Sequence, residues 1–415
     1  MELKRVVITG LGAITPIGKN VPEYWEGLCK GANGATMITR FDASKFKSRI
    51  ACEIKDFDPL QYFDRKEARK LDLFEQFAMV SADEAIQDSG INRDNTDFTE
   101  VGVIFASGIG GIESLFVENV DYARGDGTPR VSPFTIPKLL PDLAAGNISI
   151  KYGFQGPNYC TVSACASSAN AIINAFRYIH YGRNEVMIAG GAEAPICAIS
   201  VAGFEAMKAL STRNDDPTTA SRPFDADRDG FVMGEGGGCL VLEELEHAMK
   251  RGAKIYGEIV GCGESADANH ITAPHPEGQG AALAMRRALK EAGITPDVID
   301  HINTHGTSTP AGDIPEILGI KSVFGEHTYD MSINSGKSMT GHLLGGAGAI
   351  EAISAVLACQ NDIVPPTINH FTDDPNIDPK IDFTFWKAKK RTVNYAISNA
   401  FGFGGHNASI IFKKF

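Results

Sequence analysis

Chemistry in this sequence can be arranged around Cys165. It stands in Asn158-Tyr-Cys-Thr-Val-Ser-Ala-Cys165-Ala-Ser-Ser168, between a short β-leaning run (Tyr159 to Val162) and a helical one (Ser167 to Ile179). At a helix start the backbone N–H groups lack intrahelical partners, and the positive end of the macrodipole faces outward. Both effects favour a thiolate, the nucleophilic form of cysteine. Position alone is thin support, because cysteine is more often a small buried hydrophobe.

Three later segments share the design of a β-leaning run ending in polar residues. His301-Ile-Asn-Thr-His-Gly-Thr-Ser-Thr-Pro310 offers His305 in a hydroxyl-rich loop. Asn334-Ser-Gly-Lys-Ser-Met-Thr-Gly-His342 offers Lys337 and His342 ahead of an apolar helix. Its Gly-Lys-Ser is not a phosphate loop, since position 331, where that motif needs glycine, is Met. Ser398-Asn-Ala-Phe-Gly-Phe-Gly-Gly-His-Asn407 sets Phe401 and Phe403 among glycines. Taken singly, His305 reads as a hydrogen-bonded loop histidine, Lys337 as a solvated lysine and the two Phe rings as core. Taken together they point to thioester chemistry. Cysteine can carry an acyl group covalently, and neutral imidazoles can donate to a developing enolate.

The 415 residues are 43% hydrophobic and 22% charged, an ordinary soluble composition with a large core available. A net charge of −12 disfavours nucleic acid and anionic membrane. It leaves room for an acidic protein partner at a local basic patch. The eight cysteines form no C-x-x-C pair, which argues against a disulfide framework or a structural zinc site. No run approaches the roughly 18 apolar residues of a membrane helix. Met1 to Gly10 is too strand-like for a signal peptide, so a reducing cytoplasm is the expected location.

The elements that must position these residues alternate between strand and helix. Strands are expected at Arg5–Thr9 (broken by Gly10, Gly12 and Pro16), Val101–Phe105, Glu185–Ala189 and Cys239–Leu242. In the second half they fall at Ile255–Cys262, Val298–Asn303, Ser332–Asn334, Tyr395–Asn399 and Ala408–Phe412. Helices are expected at Val21–Cys29, Lys66–Ser89, Gly278–Ala292, Pro315–Phe324 and Gly345–Cys359, with a loop then a helix over Ser132–Ile150. Gly-rich loops at Gly10–Gly12 and Gly108–Gly111 fail the dinucleotide fingerprint. Asp225-x-Asp227-x-Asp229-Gly230 opens like a calcium loop, but the twelfth position is Gly236 rather than Glu. The alternation predicts layered sheets covered by helices, in two halves of similar element order, 1–252 and 253–415.

Val162-Ser-Ala-Cys-Ala-Ser-Ser168, Asn303-Thr-His-Gly-Thr-Ser-Thr309, Gly336-Lys-Ser-Met-Thr-Gly-His342 and Asn399-Ala-Phe-Gly-Phe-Gly-Gly405 resemble the β-ketoacyl-[acyl-carrier-protein] synthases. The likeness is nearest to the elongating synthase II type and runs from Arg5 to the C-terminus. It implies a thiolase-like five-layer αβαβα fold of two pseudo-duplicated halves, a homodimer, and a decarboxylating Claisen condensation in type II fatty-acid elongation. A ketosynthase of a type II polyketide or aryl-polyene pathway is the alternative. By the resemblance, Cys165 is the nucleophile, and His305 and His342 hold the malonyl thioester and its enolate. Lys337 supports them with Glu351, and the N–H groups of Cys165 and Phe403 form an oxyanion hole. Phe403, beside Phe401, gates an acyl pocket limited by Ile109 and Phe204, and Thr307 and Thr309 hold the pantetheine arm. The substrates ride on the phosphopantetheine of acyl carrier protein. No cofactor or metal is required, although some members hold a structural monovalent cation. The acidic carrier would dock on Arg65, Lys66, Arg69 and Lys70, or on Lys208 and Arg213. Departures from the family pattern are Gly336 for Thr or Ser, Gly346 for Ala, and His406 for Thr.

Overall fold

A computed structural model describes residues 3–415; Met1 and Glu2, part of the segment read against a signal peptide, lie outside them. Five strands of the first half are β1 (Val6–Ile14), β2 (Val101–Ala106), β3 (Asn158–Tyr159), β4 (Val186–Glu193) and β5 (Gly236–Glu244). Five of the second are β6 (Gly257–Ala266), β7 (His301–Asn303), β8 (Ser332–Asn334), β9 (Tyr395–Gly402) and β10 (His406–Lys413). They join in the order β3-β2-β4-β5-β1-β6-β10-β9-β7-β8. Outward from the centre the halves read 1-5-4-2-3 and 6-10-9-7-8, one order repeated. The pairing directions repeat as well: β2 is parallel to β3 and β4, and β7 to β8 and β9, while the inner pairs are antiparallel. The halves touch through a short antiparallel pairing of Val6–Ile8 with Gly257–Ile259.

Period-2 patterning makes the layers. In β4, Met187 and Ala189 face one core cluster while Val186 and Ile188 face another. The outer cluster of the first half lies under helices α1 (Leu73–Ser89) and α3 (Leu143–Tyr152), the second following α2 (Ile112–Arg124) in the chain. The central cluster holds α4 (Ser167–His180) and α8 (Ala347–Asn361), packed together between the sheets. The third lies under α6 (Gln279–Ala292) and α7 (Asp313–Phe324). Helix–sheet–helix–sheet–helix gives the five expected layers. A helix sandwiched between two sheets must be apolar all round. Ala347 to Cys359 is accordingly buried without interruption, with Glu351 its sole charged residue.

Three element boundaries differ from expectation. Gly10 and Gly12 do not break β1. A Cβ at Gly10 would meet Ala85 O at 2.1 Å, and one at Gly12 would meet Ser81 O at 1.9 Å, so these glycines let α1 press onto the strand. The 66–89 helix is two pieces, Arg65–Ala68 and α1, because Asp72 caps α1 in a reciprocal box with Glu75. β7 is only three residues long, its expected start being a 3₁₀ turn at Pro296–Val298. Helices α2 and α5 (Ala198–Ala206) were not foreseen.

Candidate active site

The repeated topology places the chemistry. Cys165 follows β3 before α4, and Lys337 and His342 follow β8 before α8, the matching position of the second half. The Ser107–Gly111 loop follows β2 and His305 follows β7; Glu193 ends β4 and the Phe401–Phe403 loop ends β9. Strand ends that correspond in the two halves therefore meet at one place.

Cys165 sits on a strained elbow. Ala164 has φ 51°, the left-handed region, which costs a non-glycine residue about 1–3 kcal/mol. The turn is tied by Ser167, whose Oγ donates to Ala164 O at 2.6 Å and accepts from Ser163 N at 2.9 Å. Gly402 presses on the elbow: a Cβ there would lie 2.7 Å from Ser163 O and 3.0 Å from Cys165 N. That approach brings the Phe403 N–H to bear on the thiol. Burial pushes the Cys165 thiol up to about 12, against the pull of Lys337 and the Phe403 N–H. Desolvation of the buried sulfur thus works against the helix-start effects that favour a thiolate.

His305 and His342 are edge to face, ring centroids 5.2 Å apart, and a nitrogen of each lies with Cys165 Sγ in a set spanning no more than 4.8 Å. Burial, then the Lys337 charge, holds both imidazoles well below 6.5, with His342 adding to the effect on His305, so both are neutral at pH 7. Backbone bonds fix His342: its N–H donates to Val232 O at 2.8 Å and its carbonyl accepts from Gly234 N at 2.9 Å. Its ring nitrogens have no protein partner, nor has His305 Nδ1. Lys337 is 2% exposed, which overturns the solvated-lysine reading, and its ammonium is hydrogen-bonded to Glu351. Burial lifts the Glu351 carboxyl to about 7 despite that lysine.

A cavity of about 380 Å³ opens onto these groups. Cys165, His305, His342, Phe401, Phe403, Phe204, Thr307 and Thr309 line it, and Lys208 stands among the lining residues as an exposed side chain. Thr307 and Thr309 hydroxyls are 2.9 Å apart. Ile109 packs behind the wall, in one apolar cluster with Phe204 and Leu344. Lys337 and Glu351 do not reach the cavity. Arg65, Lys66, Arg69 and Lys70 are exposed, whereas Arg213 is half-buried and donates to Asp227 O. The Asp225 loop is no calcium site: its carboxylate accepts from Asp227, Phe371 and Thr372 N–H groups.

Three contributors escaped the sequence reading. Glu316 accepts from His305 N and Gly306 N at 2.8 Å each, fixing the histidine loop. Glu193 gathers Ser107, Gly108, Ile109 and Gly345, tying the loop after β2 to the start of α8. Phe231 stands edge-on to His342 at 5.4 Å and to Phe204 at 5.5 Å. With His305 and Phe401 it completes a continuous aromatic wall. Glu193 ends a recognisable Gly190-Gly-Ala-Glu run; nothing local marks the other two.

Known proteins agree with this geometry. The β-ketoacyl synthase N-terminal domain matches residues 3–248 and the C-terminal domain residues 256–371. The chain is 51% identical to the 3-oxoacyl-[acyl-carrier-protein] synthase 2 of Synechocystis sp., across 100% of this chain and 99% of that protein. It is 49% identical to the Staphylococcus aureus protein of that name over 99% of each, and 47% to that of Coxiella burnetii over 100% and 99%. Among solved structures, a β-ketoacyl synthase from Burkholderia phymatum superposes with a TM-score of 0.92 at 36% identity, covering 99% of this chain and all of that one. A type II polyketide ketosynthase, solved with its acyl-carrier protein and bound to the hexaketide, does so with 0.92 at 34%, covering all of both. A buried cysteine at a strained elbow, two neutral histidines and an end-to-end match leave one assignment: the chain belongs to the β-ketoacyl synthase family, condensing enzymes of the acyltransferase class on the thiolase fold.

Proposed function

We propose that this enzyme joins an acyl group held on Cys165 to malonyl-[acyl-carrier protein], giving 3-oxoacyl-[acyl-carrier protein] and carbon dioxide in type II fatty-acid elongation. The observation that carries the reading is the juxtaposition of the Cys165 thiol with two neutral, unpartnered imidazoles at one cavity. In the first half-reaction a neutral imidazole takes the Sγ proton as sulfur attacks the acyl thioester. The oxyanion rests on the N–H groups of Cys165 and Phe403, and the carrier thiol leaves with the proton. In the second, the malonyl carboxylate departs as carbon dioxide and its electron pair passes to the thioester oxygen. N–H donors of His305 and His342 stabilise that enolate where the charge develops. The carbanion attacks the acyl-Cys165 carbonyl, a C–C bond forms, the C–S bond to Cys165 breaks, and the released thiolate takes a proton from solvent. Lys337 acts from behind, its charge adding to burial in holding the imidazoles neutral, and Glu351 anchors its ammonium. Phe401 and Phe403 close the cavity against water, and Thr307 and Thr309 hydrogen-bond the pantetheine arm.

Elongation is favoured over the polyketide or aryl-polyene alternative, which would keep the same residues, by full-length relatives of 47–51% identity named 3-oxoacyl-[acyl-carrier-protein] synthase 2. Mass spectrometry after mixing with acyl-carrier protein tests the core: the adduct is expected on Cys165 and absent in Cys165→Ala. An adduct on another residue would refute the assignment. Condensation with acyl chains of graded length then separates the two pathways.

The two halves, 1–252 and 253–415, are read as units that each contribute one face of this site. Exposed Lys208 by the cavity, and the Arg65–Lys70 run, suit an acidic carrier, with Arg213 the weaker candidate because it is engaged internally. Apolar side chains left exposed between Val117 and Val162, the segment containing edge strand β3, suit a homodimer. A monovalent cation would find unpaired buried oxygens on Asn303, Asn334 and Glu351. No helix among the described residues is long and apolar enough to cross a membrane, in keeping with cytoplasmic work on carrier-bound substrates.

A further inference from the structure

The groups at the cavity base are also a metal-ligand set. Cys165 Sγ and one ring nitrogen from each of His305 and His342 lie within 4.8 Å of one another. His342 is 2% exposed with no partner on either ring nitrogen, and His305 Nδ1 is likewise unpartnered. The backbone of each histidine is held in place, that of His342 by Val232 and Gly234 and that of His305 by the Glu316 carboxylate. Thiolate and neutral imidazole are the donors that a borderline-soft divalent cation takes. Three protein ligands with a fourth position open to a cavity is the pattern of zinc sites that keep an exchangeable ligand. Tetrahedral ligation at about 2.0–2.3 Å would set neighbouring donors roughly 3.5 Å apart, a contraction of about 1 Å. The nearby Lys337 charge is matched by its bonded partner Glu351, and the thiolate itself offsets one of the two positive charges of the cation.

We propose that Cys165, His305 and His342 chelate a soft divalent cation, with Zn²⁺ as its representative, and that the bound cation silences the enzyme by occupying the nucleophile. Binding breaks the Sγ–H bond, forms an S–Zn bond and releases one proton to solvent; water takes the fourth position. Metal and acyl group compete for the same sulfur, so acylated enzyme does not bind the cation. The chelation stands on side-chain geometry alone, whereas the silencing rests on the reading of Cys165 as the nucleophile.

The test uses the full-length enzyme freed of metal with chelator. Iodoacetamide alkylation of Cys165, followed by peptide mass spectrometry, should slow more than about tenfold in ZnCl₂ and recover with EDTA, while MgCl₂ leaves it unchanged. Calorimetry should give one Zn²⁺ per chain, weakened more than about 100-fold in Cys165→Ser and in His342→Ala. Co²⁺ should show a thiolate charge-transfer band that is lost in Cys165→Ser. An alkylation rate indifferent to Zn²⁺ overturns the proposal, and that arm needs no variant to fold. Zn²⁺ binding that persists unweakened in Cys165→Ser also overturns it, by placing the metal elsewhere. Failure of metal-free enzyme to accept an acyl group would instead overturn the condensation reading, and the silencing with it, and leave the chelation standing.

Discussion

On the proposed reading, Cys165 is activated by proton transfer to an imidazole that burial and the Lys337 charge keep neutral. Two consequences can be measured. His305→Ala or His342→Ala removes one donor to the enolate, and condensation should fall about 10²–10³-fold, the typical cost of an oxyanion donor. Acylation of Cys165, followed by mass spectrometry, should fall less, because the other imidazole still takes the proton. Equal loss in both half-reactions would contradict the division of labour. The second consequence concerns pH. An imidazole whose pKa lies well below 6.5 stays an uncharged donor through mild acid. Carbon dioxide release should therefore be flat between about pH 6 and 8. A decline centred near 6.5 would show the rings titrating as free histidines.

At the scale of elements, glycines set distances. Gly402 and Gly12 both permit close approach, but to different ends. Gly402→Ala would drive a Cβ into the Cys165 elbow and displace the Phe403 N–H. Acylation should slow by about 10²-fold, with a modest stability loss. Gly12→Ala would drive α1 off β1, its Cβ falling 1.9 Å from Ser81 O rather than against the Cys165 elbow. It should cost about 1–3 kcal/mol of stability and leave the turnover of folded enzyme intact. Thermal denaturation beside single-turnover acylation distinguishes them; a Gly402→Ala enzyme with normal acylation would remove the Phe403 N–H from the oxyanion hole. The glycines of β1 show how sequence punctuation misleads. A glycine read as a strand breaker can equally be the seat of a helix, and only the packing partner, α1, decides which.

At the scale of the molecule, a chain of net charge −12 must receive an acidic carrier protein through local positive charge. Charge reversal at Lys66 and Arg69, both exposed, should weaken carrier binding, most strongly at low ionic strength. Unchanged affinity at low salt would move the docking surface to Lys208. Assembly can be probed in the same way. Val162 is 61% exposed beside edge strand β3, and if the proposed homodimer forms there, Val162→Asp should shift it toward monomer in sedimentation. A dimer unaffected by that change would place the interface elsewhere.

The fold class was legible because alternation of period-2 and period-3.6 runs is a local property. The order of strands was not, since pairing is decided between segments hundreds of residues apart. The candidate nucleophile, the two histidines and the gate loop each stood in the sequence beside glycines and short strands. Their motifs named them, but spacing could not say that they meet. That follows from duplication: matching strand ends converge where the halves join, which carries Cys165, His305, His342 and Phe403 to one cavity. Glu316 and Phe231 left no usable local mark, because they act through loops and rings distant in sequence, whereas Glu193 at least ended the Gly190-Gly-Ala-Glu run. The sequence by itself determined which groups could do the chemistry. The tertiary structure alone decided their ionisation, because burial is a property of everything packed around a group. It set burial of Cys165 against the thiolate that its helix start favours, and made the lysine read as solvated a buried partner of Glu351.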